Sequence, residues 1–448
     1  MNMKKVHSNV HFVGIGGISM SALAHILLSN GTRVSGSDRV GSSITEALKT
    51  AGAEIFEGHS AENIKNPDLV VYTAAIASDN PELIAARDRE ILTMERADFL
   101  GELMMEYDMP IAVSGTHGKT TTTSMLSCVL LYADMNPTIL VGGELSQING
   151  NYHLGTKKHL VFEACEYVDS FLKFNPYCAI VLNIEADHLD YFSGIEQIKQ
   201  SFNSFIKKLP RDGFVVLNAD DSDVLDSARD VDCRKIFYGV DGDYRAENIS
   251  FDEPGCGRFT VVYEGGKTDV ALGVRGMHNV SNALAVFATA HNLGVAPAVI
   301  AEGLTTFIGV RRRFEFKGEL NGAKIYDDYA HHPTEVSVTL SAAKNMKHNE
   351  VWCVFQPHTY TRTRTLMVEF AAALAAADRV IITDIYAARE KSDGVTHSSA
   401  LAEKIKDAEY ISDFNGIAEY IKANAKQDDI IITMGAGSIT NLSALLLS

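Results

Sequence analysis

The alternation of apolar runs with helical periods starts afresh three times along the chain. The first apolar run, "NVHFVGIGG", ends in a glycine turn, and "SMSALAHILLSNG" follows with a helical period and a glycine stop. "RVSGSD" and "DLVVYTAAI" read as further strands, and a helix is expected from about Pro81 to Glu106. The pattern restarts at "PIAVSG", with a strand, a loop and a helix over 110–131. "HLVFEA", "CAIVLNI" and "GFVVLN" then suit strands buried on both faces of a parallel sheet. Between 231 and 275 the texture shortens to alternating segments around glycines, as in "RFTVVYEGGKTDVAL", and predicts an inserted antiparallel hairpin. "GMHNVSNALAVFATAHNLG" reads as a helix.

After "GVRRRFE" comes the third start. Its strand-like runs are "KIYDD", "VWCVFQ", "RVIITD" and "DIIITMG", separated by helical stretches such as "TEVSVTLSAAKNM" and "TLMVEFAAALAAA". The expected architecture is α/β in three domains. Residues 1–108 form a Rossmann-like domain, 109–315 a P-loop ATPase-like parallel sheet with a small antiparallel insertion, and 316–448 a second Rossmann-like domain.

Composition narrows the chemistry. A net charge of −17 over 448 residues disfavours nucleic acid as a partner. The six cysteines are scattered without a C-x-x-C pair, which argues against zinc or a disulfide framework and fits a reducing cytoplasm. No apolar run has the length of a membrane span, and Met1 to Asn9 lacks a signal-peptide core, so no membrane insertion is expected.

The strongest local signal is "VSGTHGKTTTTSML". Gly115 and Gly118 let backbone N–H groups turn inward at a helix start, where phosphate oxygens are favoured. Lys119 suits the β- and γ-phosphates of ATP, and the Thr120 hydroxyl suits Mg²⁺. Val113 stands where the usual P-loop has its first glycine. Acidic strand ends would supply further metal ligands: Glu163, Glu166 and Asp169 in "EACEYVDSF", and Glu185, Asp187, His188 and Asp190 in "NIEADHLDYF". On spacing alone His188 reads as a loop histidine, because Mg²⁺ prefers oxygen.

The other constellations are less specific. "GIGGISM" places Gly14 and Gly16 in a dinucleotide-like turn with Asp38 further on, but Ser19 takes the third glycine position. NAD, a nucleotide-diphosphate sugar and a plain tight turn all suit it. Asn279 and Asn282 share a helical face and could read a base edge, though a polar cap is the better reading. The arginines of "GVRRRFE" suit a phosphoryl group or a solvated turn. The third domain gathers "YDDYAHHPTEV", "FQPHTYTRTR", "TDIYAAREKSDG" and "TMGAGSIT" at its strand ends, which predicts a functional edge.

Taken in order, "GIGGISMSALA", "SGTHGKTTTT", "EACEYVDSF", "NIEADHLDYF", "GMHNVSNALA", "GVRRRFE", "DDYAHHPTEV" and "QPHTYTRT" resemble the Mur ligase family over essentially the whole chain. The shortened loop is that family's form. "DDYAHHPTEV" and "QPHTYTRT" point to the member that adds L-alanine to UDP-N-acetylmuramate, in the bacterial cytoplasm. The resemblance implies ATP and Mg²⁺, an acyl phosphate on the substrate carboxylate, and attack by the amino group of alanine.

It also implies roles. Gly115, Thr116, His117, Gly118, Lys119, Thr120 and Thr121 would hold ATP. Thr120, Glu163 and His188 would ligate metal, which reverses the spacing argument for His188. Asn279 and Asn282 would meet adenine, Arg313 a phosphate and Asp327 the ribose. Tyr329, His331, His358 and Arg362 would hold alanine and the sugar–lactyl end. Lys119, Glu163, His188, Arg313 and His331 would carry catalysis. Gly14, Gly16, Gly17, Ser37, Asp38 and His59 would take UDP in place of NAD. A monomer or weak homo-oligomer is expected. Two departures stand out. Phe202 occupies the place where several relatives carry a carbamoylated lysine, so no carbamate is expected. Cys165, Tyr167 and Val168 alter the usual acidic, small-residue stretch around Glu163. A ligase that recycles peptides on UDP-N-acetylmuramate is the alternative within the family, and an NAD-dependent oxidoreductase the remote one.

Overall fold

The computed structural model describes residues 7–73, 75–189, 191–388 and 390–448, so Asp190 lies outside the described residues. The chain divides into two compact units, Met1–Ile236 and Phe237–Ser448.

The first unit opens with a five-stranded sheet of β1 (Asn9–Val13), β2 (Arg33–Asp38), β3 (Glu54–Glu57), β4 (Leu69–Tyr72) and β5 (Leu92–Glu95). Its order is β3-β2-β1-β4-β5, and every pairing is parallel. Val10, Phe12 and Val13 are fully buried, as a central parallel strand covered on both faces requires. The expected helix from Pro81 to Glu106 is not continuous. A helix over Pro81–Asp88 stops, Glu90 takes φ +55°, β5 joins the sheet edge, and a second helix runs Arg96–Met104. The left-handed break falls on a glutamate instead of a glycine. The strand is four residues long and half-exposed, so neither the stop nor the period-2 pattern stands out in the sequence.

A second sheet contains β6 (Met109–Ser114), β7 (Pro137–Leu145), β8 (Gly150–His153), β9 (Thr156–Glu163), β10 (Cys178–Val181), β11 (Phe214–Asn218) and β12 (Arg234–Tyr238). Its order is β12-β11-β10-β6-β9-β7-β8. β6, β7, β9, β10 and β11 run parallel, and the edge strand β8 folds back antiparallel on β7. β6 lies between β9 and β10, so the segments that follow these three strands leave the sheet at the same edge.

The second unit begins with an antiparallel sheet of β13 (Arg245–Phe251), β14 (Cys256–Tyr263) and β15 (Gly266–Arg275). The insertion is therefore three-stranded, one strand more than the expected hairpin. The polar run "RAENISF" has four consecutive exposed positions and carries no alternation to announce β13. The last sheet holds β16 (Glu315–Leu320), β17 (Ala323–Asp328), β18 (Val351–Phe355), β19 (Arg379–Ile382), β20 (Glu409–Tyr410) and β21 (Ile430–Met434). Its order is β16-β17-β21-β18-β19-β20, with only β16 antiparallel. Alternation along β18 sends Val351, Cys353 and Phe355 into one core and Trp352 and Val354 into the other. Among the described residues no helix is long and apolar enough to cross a membrane.

Candidate active site

The phosphate-type loop follows β6 and leads into the helix Lys119–Tyr132. Gly115 and Gly118 take φ +134° and +83°, which side-chain-bearing residues rarely adopt. The loop is pinned by the segment after β10. The Thr116 N–H donates to the Asn183 carbonyl at 3.1 Å, and the His117 N–H to Asn183 Oδ1 at 2.8 Å. Asn183 Nδ2 returns a bond to the His117 carbonyl at 3.1 Å. Asn183 is thus a positioning residue that the sequence hid inside an apolar strand end. A Cβ on Gly115 would sit 3.0 Å from Leu182 Cβ, in a backbone conformation that already disfavours it. Gly115→Ala is therefore expected to cost about 1–3 kcal/mol, seen as a lower Tm and weakened nucleotide binding.

Lys119 is drawn back onto its own loop. Its Nζ donates to the Gly115 and Thr116 carbonyls at 2.5 and 3.0 Å and lies 3.1 Å from Glu166 Oε2. Burial opposes the ammonium charge, but the carboxylates of Glu166 and Glu163 outweigh it and hold the pKa above the ordinary lysine range. Thr120 Oγ1 donates to Glu163 Oε2 at 3.0 Å, while Glu163 Oε1 accepts the Gly142 N–H at 2.5 Å. His188 takes φ +53°, with Nε2 at 3.9 Å from Glu166 Oε1 and 3.8 Å from Asp187 Oδ2. Tyr167 packs against its ring at 4.5 Å between centroids. Asp169 accepts from Tyr191 Oη at 2.7 Å and from Ser201 Oγ. Phe202 is fully buried against Phe171 and makes no polar contribution. Hydroxyl, carboxylate, imidazole and ammonium groups thus meet at the mouth of one loop. Oxygen donors dominate the set, which suits a hard divalent cation beside a polyphosphate.

The turn after β1 is equally ordered. The Gly14 and Ile15 N–H groups donate to the Ser37 carbonyl at 2.8 and 3.0 Å, and the Gly16 N–H to Asp38 Oδ2 at 2.8 Å. A Cβ on Gly16 would lie 2.8 Å from that same oxygen, so only glycine lets the turn close on Asp38. Gly17 caps the helix Ile18–Ser29 in extended conformation. Ser37 is fully buried and its hydroxyl goes to Glu82 Oε2 at 2.6 Å. His59 Nδ1 lies 3.1 Å from the same oxygen, and Asn63 Nδ2 donates to Glu82 Oε1 at 2.7 Å. Burial alone would raise the Glu82 pKa. The His11 imidazole 3.7 Å away, with the Ser37 and Asn63 donors, outweighs it and keeps the carboxyl below its ordinary value. Sequence reasoning missed Glu82, because an acidic residue in a first helical turn is ordinary.

In the second unit, Asn279 and Asn282 are buried on the helix Met277–Asn292. Asn279 Nδ2 donates to the Arg275 carbonyl at 2.7 Å and Asn282 Nδ2 to Asn279 Oδ1 at 3.2 Å, so the capping contact is present. Asp327, at the end of β17, is fully buried and accepts from Thr433 and Thr440 hydroxyls at 2.8 and 2.7 Å. Arg312 reaches its Oδ2 at 3.5 Å, and Arg312 and Arg313 both lie over the Tyr329 ring. Arg313 Nη1 is 4.0 Å from Glu335. His331 accepts a position beside His358, with ring centroids 5.6 Å apart, and Arg362 Nη1 lies 3.2 Å from His358 Nδ1. Tyr329, His331, His358 and Arg362 therefore share one edge of the last sheet, as their strand-end positions predict.

Next to them, Asp328 accepts from the Phe314 and Ala330 N–H groups, and burial pushes its pKa up to about 6. A carboxyl raised in the folded state binds its proton more tightly there than in the unfolded chain. Its stabilising contribution is complete below pH 4 and lost as pH rises through 6, about 2–3 kcal/mol in all. Asp328→Asn is expected to flatten the stability–pH curve between pH 4 and 6, measured by denaturant unfolding.

Family descriptions match in three consecutive stretches. These are "Mur ligase family, catalytic domain" over residues 9–108, "Mur ligase middle domain" over 113–290, and "Mur ligase, glutamate ligase domain" over 312–437. The UDP-N-acetylmuramate–L-alanine ligase of Acetivibrio thermocellus is 54% identical over 98% of this chain and 95% of its own. The like-named protein of Alkaliphilus metalliredigens is 50% identical over 98% and 97%. Among solved structures, the UDP-N-acetylmuramate–alanine ligase of Thermotoga maritima is 32% identical with a TM-score of 0.83, covering 98% of each chain. A murein peptide ligase from Psychrobacter arcticus is 28% identical with a TM-score of 0.72 over the same share.

Proposed function

The chain belongs to the Mur ligase family, and from that premise we propose that it joins L-alanine to the lactyl carboxylate of UDP-N-acetylmuramate. The reaction uses ATP, releases ADP and phosphate, and supplies a peptidoglycan precursor. The observation that carries this reading is near-complete, 54% identity to a protein of that name, on a chain whose phosphate loop is formed and pinned.

The reaction begins when the substrate carboxylate takes the γ-phosphoryl group. Lys119 neutralises charge on the β- and γ-phosphates, and the N–H groups of the first turn of the helix Lys119–Tyr132 orient them. The alanine amine then attacks the acyl phosphate, and the tetrahedral intermediate collapses with loss of phosphate. Thr120 and Glu163, with hydroxyl and carboxylate 3.0 Å apart, fit Mg²⁺, and His188 beside Glu166 fits a second ion. Bound there, Mg²⁺ supplies charge neutralisation at the transferring phosphoryl group. Asn279 and Asn282 are assigned to adenine, Asp327 to the ribose, and Arg313 to phosphate. Tyr329, His331, His358 and Arg362 are assigned to alanine and the sugar–lactyl end. The diphosphate of the sugar nucleotide sits at the Gly14–Gly17 turn, with its ribose at Asp38. In this reading the domains divide as 1–108 for the sugar nucleotide, 109–315 for ATP and 316–448 for the amino acid.

The peptide-recycling reading is tested beside this one, because the murein peptide ligase shares the fold. With UDP-N-acetylmuramate and ATP present, L-alanine is expected to give a product heavier by one alanyl residue in mass spectrometry. Product with a tripeptide, and none with alanine, would replace the assignment.

A further inference from the structure

Glu82 is a fully buried carboxylate joined to the Gly14–Gly17 turn through Ser37, with Ser37, His59 and Asn63 within hydrogen-bond distance. Its Oε2 accepts the Ser37 hydroxyl at 2.6 Å and faces His59 Nδ1 at 3.1 Å. Ser37 Oγ also lies 2.9 Å from that nitrogen. A serine has one hydroxyl hydrogen, and here it goes to the carboxylate. Both neighbours of His59 Nδ1 are then acceptors, so Nδ1 must carry the proton. A neutral His59 consequently presents Nε2 as a lone-pair acceptor, from a side chain 14% exposed.

The place of His59 gives that acceptor a purpose. Along the sheet, β1, β2 and β3 are neighbours, and their ends carry the glycine turn, Asp38 and the Gly58–His59 loop in that order. The Gly58 N–H donates to the Asp38 carbonyl at 2.7 Å, which ties the loop to the residue assigned to ribose. With diphosphate at the turn and ribose at Asp38, the base falls beside His59. Resting on the assignment of a sugar nucleotide to this turn, we infer that Glu82 is a positioning residue. It fixes His59 with Nε2 as the acceptor for the ring N–H of a uracil-type imide. Cytosine carries an acceptor at the equivalent ring nitrogen, so two lone pairs would face each other. The same carboxylate holds Ser37, whose carbonyl carries the Gly14 and Ile15 N–H groups, so base selection and diphosphate cradle share one anchor.

The test is calorimetric titration of UDP and CDP into the full-length wild type, Glu82→Ala and Glu82→Gln, with ATP as the control for folding. Wild type is expected to prefer UDP by about tenfold or more, as one directional hydrogen bond allows. Glu82→Ala should reduce that preference below about threefold while ATP binding is kept. Glu82→Gln, which keeps an acceptor for Nδ1, should retain most of it. If Glu82→Ala weakens UDP and CDP equally and the ratio survives, the role is purely structural and the inference fails. If wild type binds no UDP at all, the sugar-nucleotide reading fails instead. Should Glu82→Ala not fold, ¹⁵N-histidine spectra of wild type decide the matter. A neutral His59 protonated at Nδ1 alone supports the inference, and one protonated at Nε2, whether alone or as the imidazolium, overturns it.

Discussion

Lys119→Ala is expected to abolish ligation, with kcat lower by about a thousandfold or more, while UDP-N-acetylmuramate binds nearly as well as to wild type. The magnitude follows from removing a charged donor aimed at developing phosphoryl charge, a class of loss that reaches two to three orders of magnitude even for a neutral donor. The selectivity of the effect follows from position. Lys119 contacts its own loop and Glu166, whereas the turn assigned to the sugar nucleotide is built from Gly14, Gly16, Ser37 and Asp38 on another sheet. The substitution also strips a buried carboxylate of its cation, and a broken buried pair costs about 3–5 kcal/mol. Steady-state kinetics must therefore be paired with a thermal melt and a titration of UDP-N-acetylmuramate. Equal loss of ligation and of sugar-nucleotide binding in a folded variant would show that the two glycine loops have been assigned the wrong way round.

Glu163→Gln is the second large effect. It keeps the shape of the side chain and one oxygen to accept the Gly142 N–H, but turns the oxygen that faces the Thr120 hydroxyl into an N–H donor and removes the charge. In wild type, Mg²⁺ should strengthen nucleotide binding. In the variant that enhancement should shrink by about 10–100-fold, the usual scale for a disturbed metal environment, and kcat should fall with it. Titration of a fluorescent ATP analogue with and without Mg²⁺ reads the effect without turnover. Glu163→Asp, which keeps the charge on a shorter arm, should recover part of it. An unchanged Mg²⁺ enhancement in Glu163→Gln would remove Glu163 from the metal site.

The sequence announces this fold unevenly. Strands buried on both faces, such as β6, β10 and β18, are continuous apolar runs and stand out at once. Edge strands do not. β5 and β13 are short or polar because one side faces solvent, and their residues suit helices or loops as readily. Lys119, Thr120 and Glu163 could be found because loop chemistry and strand-end acids carry a spacing signature, and the structure places Thr120 and Glu163 in contact. Asn183 and Glu82 could not. Each acts by holding another residue, Asn183 the phosphate loop and Glu82 the pair Ser37 and His59, and such support depends on partners up to 66 positions away. His188 is the intermediate case: its spacing argues for a plain loop histidine, yet folding sets it 3.9 Å from Glu166 in a strained backbone conformation.

The central claim is that ATP activates the lactyl carboxylate for attack by alanine. UDP-N-acetylmuramate labelled with ¹⁸O in both oxygens of that carboxylate, incubated with the enzyme, ATP, Mg²⁺ and L-alanine, tests it most directly. One ¹⁸O atom is expected in each phosphate released, in step with formation of the alanyl product. Unlabelled phosphate, or alanyl product formed without ATP, would contradict it.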